Sequence, residues 1–364
     1  MLLNKKAVRK NKTIKKIQKA DRKINRDRKL DRGSKIKNNI EKVVALSSEK
    51  AIGYTEVKDQ TALKEVNAAQ LISELETHAL TGMSGSGFPV AKKVKTFLEA
   101  GKKQKIIIIN GAECEPGLLH DAWLMRHKGK EISEAALALK KILAANRVIL
   151  AVRGKAEAVS GLATKDMEIV RVPLKYPLGE EHVLIKHVLG MELQNDVIPA
   201  KEGILLTNVQ TVYQMGRILK DSYDGSRFVT IANLETGEAR VAYVNPKTKV
   251  KDLLVQTFGK TDAGYYAGGG VMSAVEAGEN DTFGNACSFA GIAKAAAISN
   301  DNRCKKCGGC TKKCPAGISV REIVLAKEKN PNADLSQWRP ERCLHCGTCT
   351  YFCMAGKDPA SYMI

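Results

Sequence analysis

Lys105-Ile-Ile-Ile-Ile-Asn-Gly-Ala-Glu-Cys-Glu-Pro-Gly117 joins a short apolar run to a polar loop bearing two glycines and two acids. Four consecutive isoleucines show no alternation, so both faces of the segment are expected to be buried. The run is too short for a helix and β-branched throughout, which favours an extended strand. Val148-Ile-Leu-Ala-Val152 has the same character, and a helical pattern over 131–145 lies between the two. Strand, helix, strand predicts a parallel sheet covered on both faces. Working outward, 168–172 reads as a third strand, 180–190 as a helix, and Gly203-Ile-Leu-Leu-Thr-Asn208 as a further strand leading into a helix near Thr211. On the other side, 69–80 reads as an amphipathic helix. It ends at Gly82-Met-Ser-Gly-Ser-Gly-Phe-Pro89, with a second helix over 90–98.

After Ser226 the periodicity changes to short alternating segments over 227–234 and 239–244, succeeded by a helix over 250–257. This predicts a small α+β unit. Residues 275–300 are rich in Ala, Gly and Ser and read as a connection to the cysteine-rich end of the chain.

That cysteine-rich end carries the most specific signal in the sequence. Cys304-Lys-Lys-Cys307-Gly-Gly-Cys310-Thr-Lys-Lys-Cys314-Pro315 has the spacing C-x2-C-x2-C-x3-C-P. Cys343-Leu-His-Cys346-Gly-Thr-Cys349-Thr-Tyr-Phe-Cys353 repeats it without the proline. In such paired runs three thiolates of each loop hold one cubane, and the fourth cysteine crosses to the other cluster. The spacing therefore assigns one [4Fe–4S] cluster to Cys304, Cys307, Cys310 and Cys353, and the other to Cys343, Cys346, Cys349 and Cys314. Two zinc sites are the alternative, because paired C-x2-C motifs also bind zinc. Zinc requires neither the third cysteine of each run nor the crossed arrangement. Cys114 and Cys287 stand outside the runs and read as small buried hydrophobes.

Composition narrows the class. The 364 residues are 44% apolar and 27% charged, as in a globular protein of two or three domains, and no stretch approaches the roughly 20 apolar residues of a membrane span. The beginning of the chain has no apolar stretch long enough for a secretory signal, so a cytoplasmic location with reduced thiols is expected. The net charge is +20, and residues 1–50 supply most of it, with 18 Lys/Arg against 5 Asp/Glu. Val8, Ile14, Ile17 and Ile24 give that segment a narrow apolar stripe, enough to dock on a partner but not to form a core. It contains no aromatic residue for base stacking, which weighs against nucleic-acid binding.

Gly82-x-x-Gly85-x-Gly87 is not the dinucleotide fingerprint G-x-G-x-x-G, and a glycine loop before a helix is weak evidence by itself. Its company strengthens it. Gly82 to Lys93, Asn110 to Gly117, Tyr176-Pro-Leu-Gly-Glu-Glu181 and Thr207-Asn-Val-Gln-Thr211 occur in the order seen in the flavoprotein subunit of respiratory complex I. Over roughly 67–364 the chain resembles that family, and especially the members with a C-terminal pair of ferredoxin clusters. These include the C subunit of the Rnf complex, the propanediol-utilisation cobalamin reductase, and Rnf-C-like subunits of anaerobic reductases.

The resemblance implies an α/β flavin-binding domain over 61–225, a small β-grasp domain of the soluble-ligand-binding (SLBB) type over 226–275, and a linker with an α-helical 2[4Fe–4S] ferredoxin-like domain over 276–364, behind a basic segment over 1–60. It implies FMN held by Gly82, Gly85, Gly87 and Lys93, by Asn110, Glu113, Glu115 and Asp121, by Tyr176, Gly179, Glu180 and Glu181, and by Asn208 and Thr211. NADH lies over the flavin in this family, and Glu181 resembles a residue that meets it, which makes it the catalytic candidate. FMN holds one or two electrons and so adapts hydride transfer to one-electron clusters. The expected function is NADH oxidation, with electrons passed through FMN and two clusters to a partner reductase that is flavin- or cobalamin-dependent, methylenetetrahydrofolate reductase among them, in a soluble assembly. A flavin-free iron–sulfur relay is the alternative. Ser84 and Ser86 stand where the family often has Gly and Ala, and the barrel-like N-terminal domain of the Rnf subunit is replaced here by the basic segment.

Overall fold

Four parallel strands set the architecture in the computed structural model, which describes residues 50–363 except 56–60, 85–86, 114, 154–161, 163–164, 174, 195–196 and 295–297. The basic segment over 1–49, Gly85, Ser86 and Cys114 lie outside the described residues. The strands β1 (Ile106–Gly111), β2 (Arg147–Arg153), β3 (Glu168–Val172) and β4 (Ile204–Asn208) stand in the order β3-β2-β1-β4. β1 is buried along its whole length because it is central and covered on both sides. Ile106 and Ile108 face one way, with Ile149, Ile204 and Leu206, against Leu184 and Ile185. The chain advances from β1 to β3 on one side and then returns to place β4 on the other. The β1–β4 boundary is therefore the point where strand order reverses, with Asn110 opposite Asn208.

Helices cover both faces. α1 (Ala68–Thr77) starts in a capping box in which the Asn67 side chain accepts from Gln70 N at 2.9 Å and the Gln70 side chain accepts from Asn67 N at 2.8 Å. It is followed by α2 (Val90–Glu99), α3 (His120–His127), α4 (Gly129–Ile142), α5 (Glu181–Leu189) and α6 (Val209–Leu219). The sequence shows no sign of α3. Five of its eight residues are buried, the polar His120 and Asp121 among them, so polarity does not mark the exposed face and no amphipathic pattern results. α6 follows β4 without a loop, since Asn208 ends the strand and also caps the helix, its Oδ1 accepting from Gln210 N at 2.8 Å.

The second sheet consists of β5 (Arg227–Asn233), β6 (Glu238–Val244), β7 (Gly264–Gly268), β8 (Val275–Glu276) and β9 (Phe289–Ala293), in the order β6-β5-β9-β7-β8 with only β5 and β9 parallel. α7 (Val250–Phe258) covers one face through Val250 and Leu254. Parallel central strands with a helix between the two hairpins make this a β-grasp arrangement. Its central strand β9 lies in the stretch expected to be a connector. Ala and Gly dominate that stretch because the strand is enclosed and needs little side-chain bulk, so composition hides it. The two sheet domains are joined by aromatic packing of Trp123 on Phe228, with ring centroids 5.0 Å apart, and by Leu119 N donating to Thr230 Oγ1 at 2.8 Å.

The C-terminal region holds only short helices, α8 (Gly309–Lys313), α9 (Val320–Lys329) and α10 (Thr348–Tyr351). Its small core of Ile318, Val320, Ile323, Val324 and Met363 includes the side chains of Cys310 and Cys349. A core this small is of the kind that a metal group completes.

Gly203 precedes β4 with φ +76°, and a Cβ there would lie 2.6 Å from the carbonyl oxygen of Gln104. Gly203→Ala is expected to destabilise the fold by roughly 2 kcal/mol, from the left-handed backbone and the clash together. A urea midpoint equal to that of the parent would contradict this.

Candidate functional site

A cleft of about 770 Å³ opens at the carboxyl ends of β1 and β4. Ligands of open α/β sheets bind at this place, where the strand order reverses. Asn110 closes β1. Its Oδ1 accepts from Ala112 N at 3.0 Å and its Nδ2 donates to the Gly179 carbonyl at 2.8 Å, so one side chain holds the loop after β1 to the turn before α5. Asn208 Nδ2 donates to Asp121 Oδ2 at 2.6 Å, and Asp121 N donates to Glu113 Oε1 at 3.0 Å. Glu113 Oε2 and Asp121 Oδ1 are buried and have no hydrogen-bond partner, His120 Nε2 standing 3.7 Å from Asp121 Oδ1.

Burial pushes the Glu113 carboxyl up, against the opposing charge of Arg153. Asp121 is pushed well above the usual carboxylate range, first by burial and then by the charge of Glu113. The pair keeps a proton that separate carboxyls would lose. Beside them His120 Nδ1 lies 3.0 Å from Thr230 Oγ1, and burial followed by the Arg227 charge holds its pKa down to about 3. The imidazole is therefore neutral at physiological pH.

The opposite wall carries the cleft's ion pair. Lys93 Nζ donates to Glu181 Oε1 and to the Leu206 carbonyl, both at 2.9 Å, which ties α2, α5 and β4 together. Glu180 caps α5, accepting from Val183 N at 3.0 Å, so its carboxylate serves the helix start while still lining the cleft. At the glycine loop, Gly82 N donates to the Phe88 carbonyl at 2.8 Å and Met83 N donates to Thr211 Oγ1 at 3.0 Å. The Met83 carbonyl accepts from Arg227 Nη2 at 3.0 Å and from Ser288 Oγ at 3.2 Å.

The third wall comes from the other two domains. Glu115 Oε2 accepts from Met272 N at 3.0 Å, and Tyr176 Oη donates to the Cys346 carbonyl at 2.5 Å and lies 3.4 Å from Glu115 Oε1. The single Tyr176 hydroxyl proton goes to the nearer acceptor, the Cys346 carbonyl, and burial raises the Glu115 carboxyl beside it. Leu344, His345 and Cys346 line the cleft, so a loop of the second cysteine run forms part of the same cavity as Asn110 and Glu181.

Of the fourteen residues expected at a cofactor site, twelve line this cleft: Gly82, Lys93, Asn110, Glu113, Glu115, Asp121, Tyr176, Gly179, Glu180, Glu181, Asn208 and Thr211. Gly87 sits in the same loop with φ +60° but does not line the cavity, and Gly85 lies outside the described residues. Arg227 and Ser288 were not anticipated. No local motif marks either residue, and only the tertiary fold brings them to the Met83 carbonyl.

The two cysteine runs fold alike. Lys306 and His345, the residues before the second cysteine, have φ +53° and +49°, and the glycines after it, Gly308 and Gly347, have φ +71° and +68°. Lys306 N and His345 N donate to Cys304 Sγ and Cys343 Sγ, each at 3.4 Å. One small pocket is lined by Cys304, Cys307, Cys310 and Cys353, and the other by Cys314, Cys343, Cys346 and Cys349. Cysteines thus gather in two sets of four, each taking its fourth member from the other run. A tetrahedral zinc ion with Zn–S bonds of about 2.3 Å needs sulfurs about 3.8 Å apart. Among the described residues, the only group of three metal-ligating side chains whose donor atoms all lie within 4.8 Å is Glu113, His120 and Asp121. No three of the described cysteine sulfurs meet that limit. Cys287, the lone thiol that is described, is buried as expected.

Residues 75–217 match the family described as the Nuo51 FMN-binding domain, and 296–354 match the 4Fe-4S dicluster domain. The chain carries a Nuo51 FMN-binding domain and a 4Fe-4S dicluster domain. Among curated proteins it is similar to the C subunit of the ion-translocating oxidoreductase complex. The Haemophilus influenzae (strain 86-028NP) protein is 29% identical over 272 residues, 70% of this chain and 40% of that protein. The Pasteurella multocida protein is 30% identical over 266 residues, 70% of this chain and 32% of that protein. The chain thus spans two fifths or less of the length of these relatives. A solved NAD+-reducing [NiFe]-hydrogenase in the H2-reduced state superposes with a TM-score of 0.57 at 15% identity, over 82% of this chain and 61% of that one, which shows a shared fold.

The FMN-binding domain contains the buried acid pair, and its linkage has a definite sign. Asp121 has a folded pKa above its unfolded one, so its contribution to stability is present at low pH and is lost as pH rises through the raised value. Asp121→Asn removes that loss. The urea midpoint of the flavin-free variant should gain on that of the parent between pH 5 and pH 8. A difference independent of pH would contradict the buried, proton-retaining pair.

Proposed function

We propose that this chain is the NADH-oxidising, electron-input subunit of an oxidoreductase complex, using FMN and two [4Fe–4S] clusters to supply a partner reductase. The observation that carries this reading is the shared wall. Leu344, His345 and Cys346 line the cleft of the FMN-binding domain, and Tyr176 Oη holds the Cys346 carbonyl at 2.5 Å. A cysteine loop built into a flavin cleft supports electron exchange between the two.

The cleft suits FMN. Its volume lies in the range of small-molecule sites, roughly 300–1,000 Å³. Glu113 Oε2 and Asp121 Oδ1 are buried acceptors without donors, which a bound group carrying hydroxyl or N–H donors would satisfy. Asn110, Asn208, Thr211 and the backbone of the glycine loop fix that end of the cavity. When bound, FMN exchanges hydride for single electrons, and the clusters accept those one at a time.

The chain itself binds, orients and excludes water. The Lys93–Glu181 pair keeps a carboxylate fixed at the cleft wall, where it meets the nicotinamide nucleotide. The Glu113–Asp121 pair presents a carboxyl proton and a carboxylate acceptor without placing two full negative charges in one site. Neutral His120 adds no compensating cation. The Met272 and Cys346 loops, held through Glu115 and Tyr176, close the third side against solvent. No general base is needed for hydride transfer.

Among the described residues no helix is long and apolar enough to cross a membrane. The reading places the protein in a cytoplasmic assembly, with a flavin- or cobalamin-dependent reductase, such as methylenetetrahydrofolate reductase, as its partner.

Glu181→Ala is expected to slow NADH-driven bleaching of the bound flavin by about tenfold or more, roughly the loss of one oriented polar contact, with cluster absorbance unchanged. Stopped-flow kinetics equal to those of the parent would remove Glu181 from this role. Cys314→Ser should lower bound iron by up to about half, one [4Fe–4S] unit of two, and abolish the electron paramagnetic resonance signal of the cluster of Cys343, Cys346 and Cys349. Loss of the other signal instead would refute the crossed ligand sets.

A further inference from the structure

One face of the dicluster domain takes no part in the cleft. Cys307 is the exposed thiol of its set, and Arg303, Lys305, Lys306, Lys312 and Lys313 around it are all exposed, with no acidic residue between Arg303 and Lys313. Three large apolar side chains project beside them: Tyr351, Phe352 and Met354 are 52%, 39% and 55% exposed. These groups form one continuous patch. Lys305 Nζ donates to the Met354 carbonyl at 3.1 Å, Lys313 Nζ stands 5.2 Å from the centroid of the Phe352 ring, and the Tyr351 and Phe352 rings are 5.1 Å apart. A Cβ placed on Gly309 would lie 3.6 Å from the Phe352 carbonyl and 3.7 Å from Cys307 Sγ, so the aromatic rim and the exposed thiol adjoin. Glu328, which touches this set, is engaged by the Cys304 amide at 2.8 Å and by Lys357 at 3.1 Å.

The two cysteine sets therefore differ in position. The set of Cys343, Cys346 and Cys349 adjoins the flavin cleft, whereas no residue of the Cys304–Cys310 run lines it. We propose that the Cys307 face is the electron exit, and that it docks an acidic one-electron carrier protein whose carboxylates ring its redox centre. This rests on the reading that the clusters pass electrons onward. A basic rim steers an acidic partner and raises the association rate, while the small aromatic centre supplies the desolvated contact of a transient interface. In each transfer a reduced cluster loses one electron and the carrier gains one, with no proton or bond exchanged.

The test uses the full-length protein, its clusters reduced with dithionite and freed of excess reductant under anaerobic conditions. It is mixed with ferric cytochrome b5, whose haem edge is acidic, or with ferric cytochrome c, whose haem edge is basic, and haem reduction is followed by stopped flow. The proposal expects cytochrome b5 to react about tenfold faster or more at low ionic strength, with a rate that falls steeply as salt is added. Lys306→Glu, Lys312→Glu and Lys313→Glu combined should lower that rate by about tenfold, whereas Lys130→Glu with Lys141→Glu, on α4, should not. If the triple variant loses iron, Lys306→Gln with Lys312→Gln is read in its place and should give a smaller loss in the same direction. Equal rates with the two cytochromes, or a cytochrome b5 rate unaffected by charge reversal, overturn the exit face and leave the proposed function standing. Reduction of neither cytochrome overturns both.

Discussion

Everything at the cleft depends on the pairing of β1 with β4. That contact is made by two strands far apart in the chain, and it sets Asn110 opposite Asn208 at the sheet's carboxyl edge. From this edge one asparagine holds the turn before α5 and the other caps α6 and holds Asp121. The four separated motifs of the sequence meet because each leaves this edge, or packs on a helix that does. The position where strand order reverses leaves a crevice between diverging loops, and the chain lines it with acids and amides instead of filling it with apolar side chains.

That lining has an electrostatic cost, and the structure shows how it is contained. Five carboxyl groups and one lysine line the cleft. Glu180 is spent on a helix cap and Glu181 on Lys93, while Glu113 and Asp121 are so deeply buried and so close that their proton affinity rises. Arg227, buried beneath the glycine loop, has its pKa lowered to about 10 by burial and stays charged. It anchors the Met83 carbonyl, and its charge adds to the burial that keeps His120 neutral. The site is thus organised by desolvation more than by ion pairing, as expected where polar groups are placed in advance for a bound molecule.

The parallel sheet was legible because Ile106–Ile109 and Val148–Val152 carry an unbroken apolar pattern that only a doubly covered strand requires. The cysteine sets were legible because iron–sulfur ligation fixes spacing along the chain, and the matching backbone of Lys306 and His345 shows that the two runs close in the same way. Three features were hidden. α3 buries polar and apolar residues alike, His120 and Asp121 with Trp123, Leu124 and Met125, and so has no clear period. β9 is a five-residue strand in a stretch rich in Ala, Gly and Ser, and reads as a linker. The Tyr176–Cys346 contact joins residues 170 positions apart, and no local pattern announces it. The same holds for Arg227 and Ser288. Local chemistry marks what a loop can bind, but the walls that complete the cavity come from tertiary placement.

One cavity serving a flavin and a cluster loop together is the central claim. Its most direct test is an anaerobic visible spectrum of the purified protein before and after NADH, with flavin and iron quantified on the same sample. Bound FMN whose absorbance bleaches with NADH, accompanied by bleaching of the iron–sulfur absorbance, is the predicted result. Iron without flavin after reconstitution, or flavin that bleaches while the iron–sulfur absorbance stays unchanged, would contradict it.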